Sequence, residues 1–272
     1  MIGVELVKML RRPRTWVVIA LIDALPTLVA FLLALTSVGP RPGTGPAFLS
    51  AVLNNGVLFP AAALAIVLPL FLPVSVAIVS GDSIAGEAQA GTLRYLLARP
   101  AGRTRLLVAK LVTVLVFVAM AVVVVVVTAY FVGTSLFGTS QLAGGNIVSV
   151  SGEPLTPQQA ALRTLLAMAY VAVSMLGVAA MAVFLSTLTD SPLAAAMGAL
   201  AFLVASSLLL TLDAADSIRP YLPTRYWLAF VDLFRQPILW RDITRGVGLQ
   251  ALYVAVLLGA AWANFTSKDI KS

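Results

Sequence analysis

The sequence predicts an all-α integral membrane protein with six transmembrane helices, and three observations carry that prediction. Hydrophobic residues make up 60% of the chain and charged residues 11%, whereas soluble domains carry about 25% charged residues. Uncharged stretches recur at lengths near the roughly 20 residues that cross a bilayer. Neither cysteine nor histidine occurs, which removes disulfides, thiolate nucleophiles, histidine-ligated zinc and serine–histidine dyads. The whole chain, 1–272, reads as a single transmembrane domain with no large soluble part.

Residues 1–14 form a short basic amphipathic segment. Ile2, Leu6, Met9 and Leu10 share a helical face, with Lys8, Arg11 and Arg12 elsewhere, which suits a helix lying on the cytoplasmic surface. Pro13 separates it from span one, Trp16–Val38, which is longer than a signal-peptide core and lacks a clear Ala-x-Ala site after it; it is expected to be retained. Asp23 stands about two turns into this span. An ionisable residue at membrane depth costs about 2.5–3.5 kcal/mol on insertion scales, and two readings stand: a pathway residue, or an acid that snorkels or pairs with Arg14 or Lys110. A Gly/Pro-rich loop leads to span two, Val57–Ser80, with Pro60, Pro69 and Pro73. These prolines suit either a flexible wall of a translocation path, with Pro69 and Pro73 as candidates, or bends absorbed by packing.

Span three is Leu106–Val132, and 133–163 reads as an exposed loop with a turn at Glu153-Pro154-Leu155-Thr156-Pro157. Span four is Thr164–Leu188. Asp190-Ser191-Pro192 turns into span five, Leu193–Leu212, with Pro192 suited to the first helical position. Segment 213–245 carries Tyr221, Tyr226, Trp227, Phe230, Phe234 and Trp240 among prolines and paired charges. Short helices dipping into the outer leaflet, or a surface loop with helical turns, both account for it. Span six is Gly246–Phe265, followed by Lys268-Asp269-Ile270-Lys271. No internal repeat of the kind that builds secondary transporters is evident.

Charge sets the expected orientation. With both termini cytoplasmic, the inner segments hold eleven Lys and Arg and the outer seven, five of the seven within 213–245 beside four aspartates. Outside that segment the bias is eleven to two and predicts N-in. The net charge of +7 fits this topology and anionic lipid headgroups, not nucleic acid, since no basic run is interleaved with aromatics.

An ATP-hydrolysing site needs Gly-x-x-x-x-Gly-Lys-Ser/Thr to cradle phosphates. The four lysines, Lys8, Lys110, Lys268 and Lys271, never follow a glycine, so no such loop exists here and the chain is not expected to be an enzyme. Eleven scattered acids give no constellation for a metal-dependent lipid phosphotransferase. A secondary carrier or channel without ATP coupling would need charges on several spans, and Asp23 alone qualifies.

The polar interlude at 80–110 is the most informative stretch. Thr92 can cap a short helix whose Leu93, Leu96 and Leu97 share a face, with Arg94 and Tyr95 elsewhere and Pro100 as the stop. Such a helix either inserts into a groove of a soluble partner or binds headgroups only. The run Gly81…Glu87-x-x-x-Gly91-Thr92-Leu93-x-x-Leu96-Leu97-x-Arg99-Pro100-x-x-Arg103-x-x-Leu106-Leu107-x-x-Lys110 resembles the cytoplasmic loop of ABC-2-type ABC transporter permeases. The basic N-terminal segment, six spans and closing Phe265-x-x-Lys268-Asp269-Ile270 extend the likeness, while Asp82-Ser83-Ile84-Ala85 departs from the more basic approach expected.

The resemblance implies an N-terminal elbow helix (1–14), a coupling loop (81–105) between spans two and three, and re-entrant outer helices in 213–245. It implies an ATPase contact at Glu87, Gly91, Thr92, Leu93, Arg94, Leu96, Leu97 and Arg99. The partners it implies are a separately encoded ABC ATPase that binds ATP and Mg, and a second permease, identical or homologous. No cofactor is expected in this chain itself. The expected function is export of a lipid-like or amphiphilic drug-like substrate across the plasma membrane.

Overall fold

Pro13 divides the first 36 residues into two helices, α1 (Ile2–Arg11) and α2 (Pro13–Thr36). A proline at the first helical position lacks only an N–H that would have no partner inside the helix. The corner is tied by side chains that donate back to the end of α1: Thr15 Oγ1 to Met9 O at 2.8 Å and Trp16 Nε1 to Leu10 O at 2.8 Å. The computed structural model describes residues 2–36, 55–91, 103–138 and 147–267, and the fold is all-α, 84% helical.

The remaining helices are α3 (Phe59–Val67), α4 (Phe71–Gln89), α5 (Arg103–Phe137), α6 (Pro157–Leu188), α7 (Pro192–Leu209) and α8 (Trp240–Ser267). Among the described residues six of these, α2 and α4 to α8, are long and apolar enough to cross a membrane; the chain is a multi-pass membrane protein. Helices α4 and α6 are central. Helix α6 packs on α8, α4, α7 and α5, while α4 packs on α6, α7, α5 and α2. Lipid tails are as apolar as leucine, so close packing of small residues drives helix association. The buried faces accordingly carry Ala61, Ala62 and Ala63 on α3, Ala179 and Ala182 on α6, and Ala195, Ala196 and Ala199 on α7. Large apolar side chains such as Leu21, Phe31 and Leu35 on α2 and Leu252 and Val256 on α8 face outward.

Span two differs from expectation. It is not one helix but α3 and α4, separated at Leu68–Leu70. Pro69 sits in the break and brings no N–H to the helical ladder; Leu68 before it is still helical (φ −65°, ψ −37°), and the backbone departs at Leu70 (φ −137°, ψ −59°). Pro60 and Pro73 lie in the first turns of α3 and α4, positions whose N–H groups need no helical partner. The prolines therefore punctuate span two rather than bend it. A 3₁₀ turn (Gly56–Leu58) precedes α3 and lies against α5 so closely that a Cβ on Gly56 would sit 2.0 Å from Gly133 O.

The interlude differs too. Gly81–Gln89 continue α4 instead of forming a loop. Their small residues let neighbours approach: a Cβ on Gly81 would lie 3.0 Å from Ala196 N of α7. Ser186 of α6 inserts into the α4 ladder, donating to Gly81 O at 2.7 Å and accepting from the backbone N–H of Ile84 (3.2 Å) and Ala85 (2.8 Å).

At the opposite end, the expected loop at 133–163 is shorter. Helix α5 runs on to Phe137, and α6 starts at Pro157, seven residues before Thr164. Thr156 and Gln159 form a capping box, Gln159 N–H donating to Thr156 Oγ1 at 3.2 Å and Thr156 N–H to Gln159 Oε1 at 3.0 Å. Strands β1 (Ile147–Val148) and β2 (Pro154–Leu155) pair antiparallel just before it. Pro192 opens α7 as expected, with Ser191 as its cap.

Candidate functional site

The candidate site lies where α1 crosses the ends of α4 and α5. Helix α5 is about 52 Å long at 1.5 Å per residue, far beyond a hydrocarbon core of about 30 Å. Lys110, in its third turn, lies near one end of a helix that outreaches the bilayer core. Lys110 is nevertheless buried, as is Glu87, which approaches from α4. The two form a short ion pair, Lys110 also meets Glu5 Oε2 of α1 at 2.7 Å, and Lys8 Nζ reaches Glu87 Oε1 at 3.1 Å. One α-helical turn and a little more above Glu87, Asp82 Oδ2 accepts from Arg12 Nη1 at 2.9 Å and Arg14 Nη2 at 2.5 Å. Gly86 makes room for that carboxylate; a Cβ there would sit 2.5 Å from Asp82 Oδ1.

This network joins the N-terminal helices α1 and α2 to α4 and α5, far away in sequence. It also explains the acidic approach to the interlude: Asp82 and Glu87 complement the basic residues of the N-terminal segment. Helix α1 rests on the bundle through Glu5, Leu6 and Met9, while Ile2 and Leu10, expected on the same face, are exposed. Pairing Glu5 with buried Lys110 and Lys8 with buried Glu87 turns the helix toward Glu5.

Between α1, α2, α4 and α5 lies a cavity of about 320 Å³. One wall is apolar, with Met9, Val18, Ile78, Val79 and Val114; the other holds the seven charged side chains, Ser83 and Thr113. Next to it, Ile84, Leu106, Leu107, Val183, Ala261 and Phe265 form a small apolar cluster that joins the ends of α4, α5, α6 and α8. Trp262 Nε1 donates to Thr104 Oγ1 at 2.9 Å, and Asn264 Nδ2 to Thr187 O at 3.0 Å.

Of the ATPase-contact residues expected from sequence, Glu87 points into this network and Gly91, two residues past α4, has a positive φ of 65°. Thr92, Leu93, Arg94, Leu96, Leu97 and Arg99 lie outside the described residues, as does Lys268. The two helices that bound 92–102 are thus the two that α1 clamps. Glu5, Lys8 and Lys110 were not singled out as a set in the sequence. Their partners are separated by up to 105 positions, so no local spacing links them.

The intramembrane residues lie apart from this site. Asp23 does not pair with Arg14 or Lys110, which are engaged by Asp82 and by Glu5 and Glu87. It faces Thr128 of α5, and its Oδ1 is buried with no hydrogen-bond partner among the described residues. Pro69 is exposed at the break and Pro73 buried. A second, largely apolar cavity of about 760 Å³ lies between α3, α5 and α6, lined by residues including Val126, Tyr130, Phe131, Leu165 and Met168.

Segment 213–239 folds as 3₁₀ turns, Asp213–Ala215, Arg219–Tyr221 and Trp227–Phe234, rather than α-helices. Trp227, Phe230 and Phe234 are buried in the protein and the last turn packs on α6 and α8, while Tyr221 and Trp240 remain exposed. Pro220 and Pro223 interrupt helical hydrogen bonding in the first part of this stretch. Buried Arg163 donates to Arg235 O at 3.0 Å and Gln236 Oε1 at 3.2 Å. Tyr170 Oη donates to Tyr226 O at 2.6 Å and Gln250 Nε2 to Pro223 O at 2.8 Å. Among the described residues no cluster of acids or histidines suited to a metal ion occurs.

A family model described as a protein of unknown function (DUF2705) matches residues 27–270. The match spans most of the chain, which belongs to that family. No curated protein matches it.

Proposed function

We propose that this DUF2705 member is the transmembrane permease subunit of an ATP-driven, ABC-2-type transporter, energised by a separately encoded ATPase that carries ATP and Mg. In this reading α1 is the elbow helix at the cytoplasmic face of the plasma membrane, both termini are cytoplasmic, and 92–102 holds the coupling helix. The 3₁₀ segment before α8 is the outer re-entrant element. A second permease, identical or homologous, completes the pathway, and the cargo is a lipid-like or amphiphilic molecule moved outward.

One observation carries the reading. The segment with the Gly91-Thr92-Leu93-x-x-Leu96-Leu97-x-Arg99-Pro100 pattern is bounded by α4 and α5, and the buried Glu87–Lys110 pair locks those helices to each other and to α1. A push on the segment is then delivered to two membrane helices and the N-terminal helix as one body, because packed, ion-paired elements shift together rather than deform. The test is Leu93→Asp with Leu96→Asp in the reconstituted complex. Membrane insertion is expected to stay intact while stimulation of ATP hydrolysis by the permease is lost; unchanged stimulation would remove the coupling assignment.

The alternative, a secondary carrier or channel without ATP coupling, draws on Asp23, whose unpartnered oxygen lies at membrane depth. It expects Asp23→Asn to abolish transport that proceeds without nucleotide.

A further inference from the structure

We propose that the cavity between α1, α2, α4 and α5 is a binding site for the headgroup and first acyl segment of an anionic phospholipid. The inference stands on geometry and charge alone and does not depend on the transporter reading.

The charges around the cavity are unevenly shared. In its deeper half Lys8 and Lys110 balance Glu5 and Glu87. In the other half Arg12 and Arg14 share a single oxygen of Asp82, which leaves one positive charge in excess. A guanidinium has five donors, and among the described residues one hydrogen bond to protein is found for each of these two. Their side chains are 42% and 50% exposed, so the remaining donors are open to a phosphate, which a guanidinium matches with a fork of N–H groups. Ser83 supplies an independent polar contact. It lines the cavity, is nine-tenths buried, and its Oγ has no hydrogen-bond partner among the described residues.

The other wall is hydrocarbon. Val18, Ile78, Val79 and Val114 face the same space and lie on the membrane side of the charges, since α2, α4 and α5 run from here into the bilayer. A ligand that fills the cavity must therefore be anionic at one end and apolar at the other, and it must arrive at headgroup level. A basic pocket between transmembrane helices that binds anionic headgroups meets all three conditions. Free phosphate would satisfy only the cationic half.

The test uses the full chain in nanodiscs of phosphatidylcholine doped with phosphatidylglycerol, followed by native mass spectrometry of the lipids kept on release. Phosphatidylglycerol is expected to be retained roughly fivefold over its mole fraction, from the one positive charge in excess. Arg12→Gln with Arg14→Gln should remove the enrichment. Ile78→Trp, which fills the apolar wall and leaves every charge in place, should remove it as well, so loss does not depend on the Asp82 pairs. Arg241→Gln with Arg245→Gln, an exposed basic pair at the other end of the molecule, should leave it unchanged. Retention of both lipids in proportion to their abundance, or equal loss in the Arg241/Arg245 variant, would overturn the proposal. So would displacement of the lipid by inorganic phosphate alone at equal concentration, which would assign the cavity to a free anion.

Discussion

The two ends of the bundle are held by different forces. At the α1 end, charged side chains from α1, α2, α4 and α5 pair with one another, with Lys110 and Glu87 at the centre. At the opposite end, Arg163, Tyr170 and Gln250 bond to backbone carbonyls of the 3₁₀ segment over a layer of buried aromatics. Ion pairs bind pieces that have a choice of position, because their geometry is broad and their strength falls with salt wherever water reaches them. Side chain-to-carbonyl bonds inside a packed aromatic layer hold one arrangement. The contrast suits a mobile clamp at one end and a rigid lid at the other.

The largest expected effect is at Lys110. Lys110→Met takes away the cation between Glu5 and Glu87, leaving Glu87 to half-exposed Lys8, and should cost about 3–5 kcal/mol, read as thermal unfolding in micelles. Adding Glu5→Gln and Glu87→Gln should recover part of the loss; no recovery would mean that the site acts through packing instead of charge. At the other end Arg163→Met strands Arg235 O and Gln236 Oε1 and should cost about 1–3 kcal/mol, with no change between low and high salt. Tyr170→Phe removes one bond to Tyr226 O and should cost about 1 kcal/mol. Thr156→Ala breaks the capping box and should cost about 1 kcal/mol, frayed at the start of α6 in hydrogen exchange. The smallest effect is expected for Arg12→Gln, whose half-exposed pair contributes about 0–1 kcal/mol and fades with salt. If Arg12→Gln were salt-insensitive and Arg163→Met salt-sensitive, the contrast between the ends would be reversed.

The spans were legible because lipid exposure forces uncharged runs, and Pro192 marked the start of α7 for the same local reason that Pro13 marks α2. Local rules also held the signal for α6: Thr156-Pro157-x-Gln159 is a start pattern, hidden under a reading of the prolines as a turn. Gly81–Gln89 read as a loop because glycine, serine and acids are poor membrane residues. They are helical here since Gly81 admits α7, Ser186 bonds their backbone, Arg12 and Arg14 neutralise Asp82, and Lys8 and Lys110 neutralise Glu87. Those compensations come from residues as far away as Lys110 for Glu87, Arg14 for Asp82 and Ser186 and Ala196 for Gly81, beyond any local pattern. The same distance hid the cavity, whose two walls are assembled from both sides of span one.

The central claim is that the segment between α4 and α5 docks a separate ATPase. The most direct test places a photoreactive amino acid at Leu93 and, in a second sample, at Trp240 on the opposite end, in cells that express the full complex. The account expects a cross-link from position 93 to a protein that azido-ATP also labels, and none from position 240. A cross-link from position 93 to lipid alone, or the same ATP-binding protein captured from both ends, would contradict it.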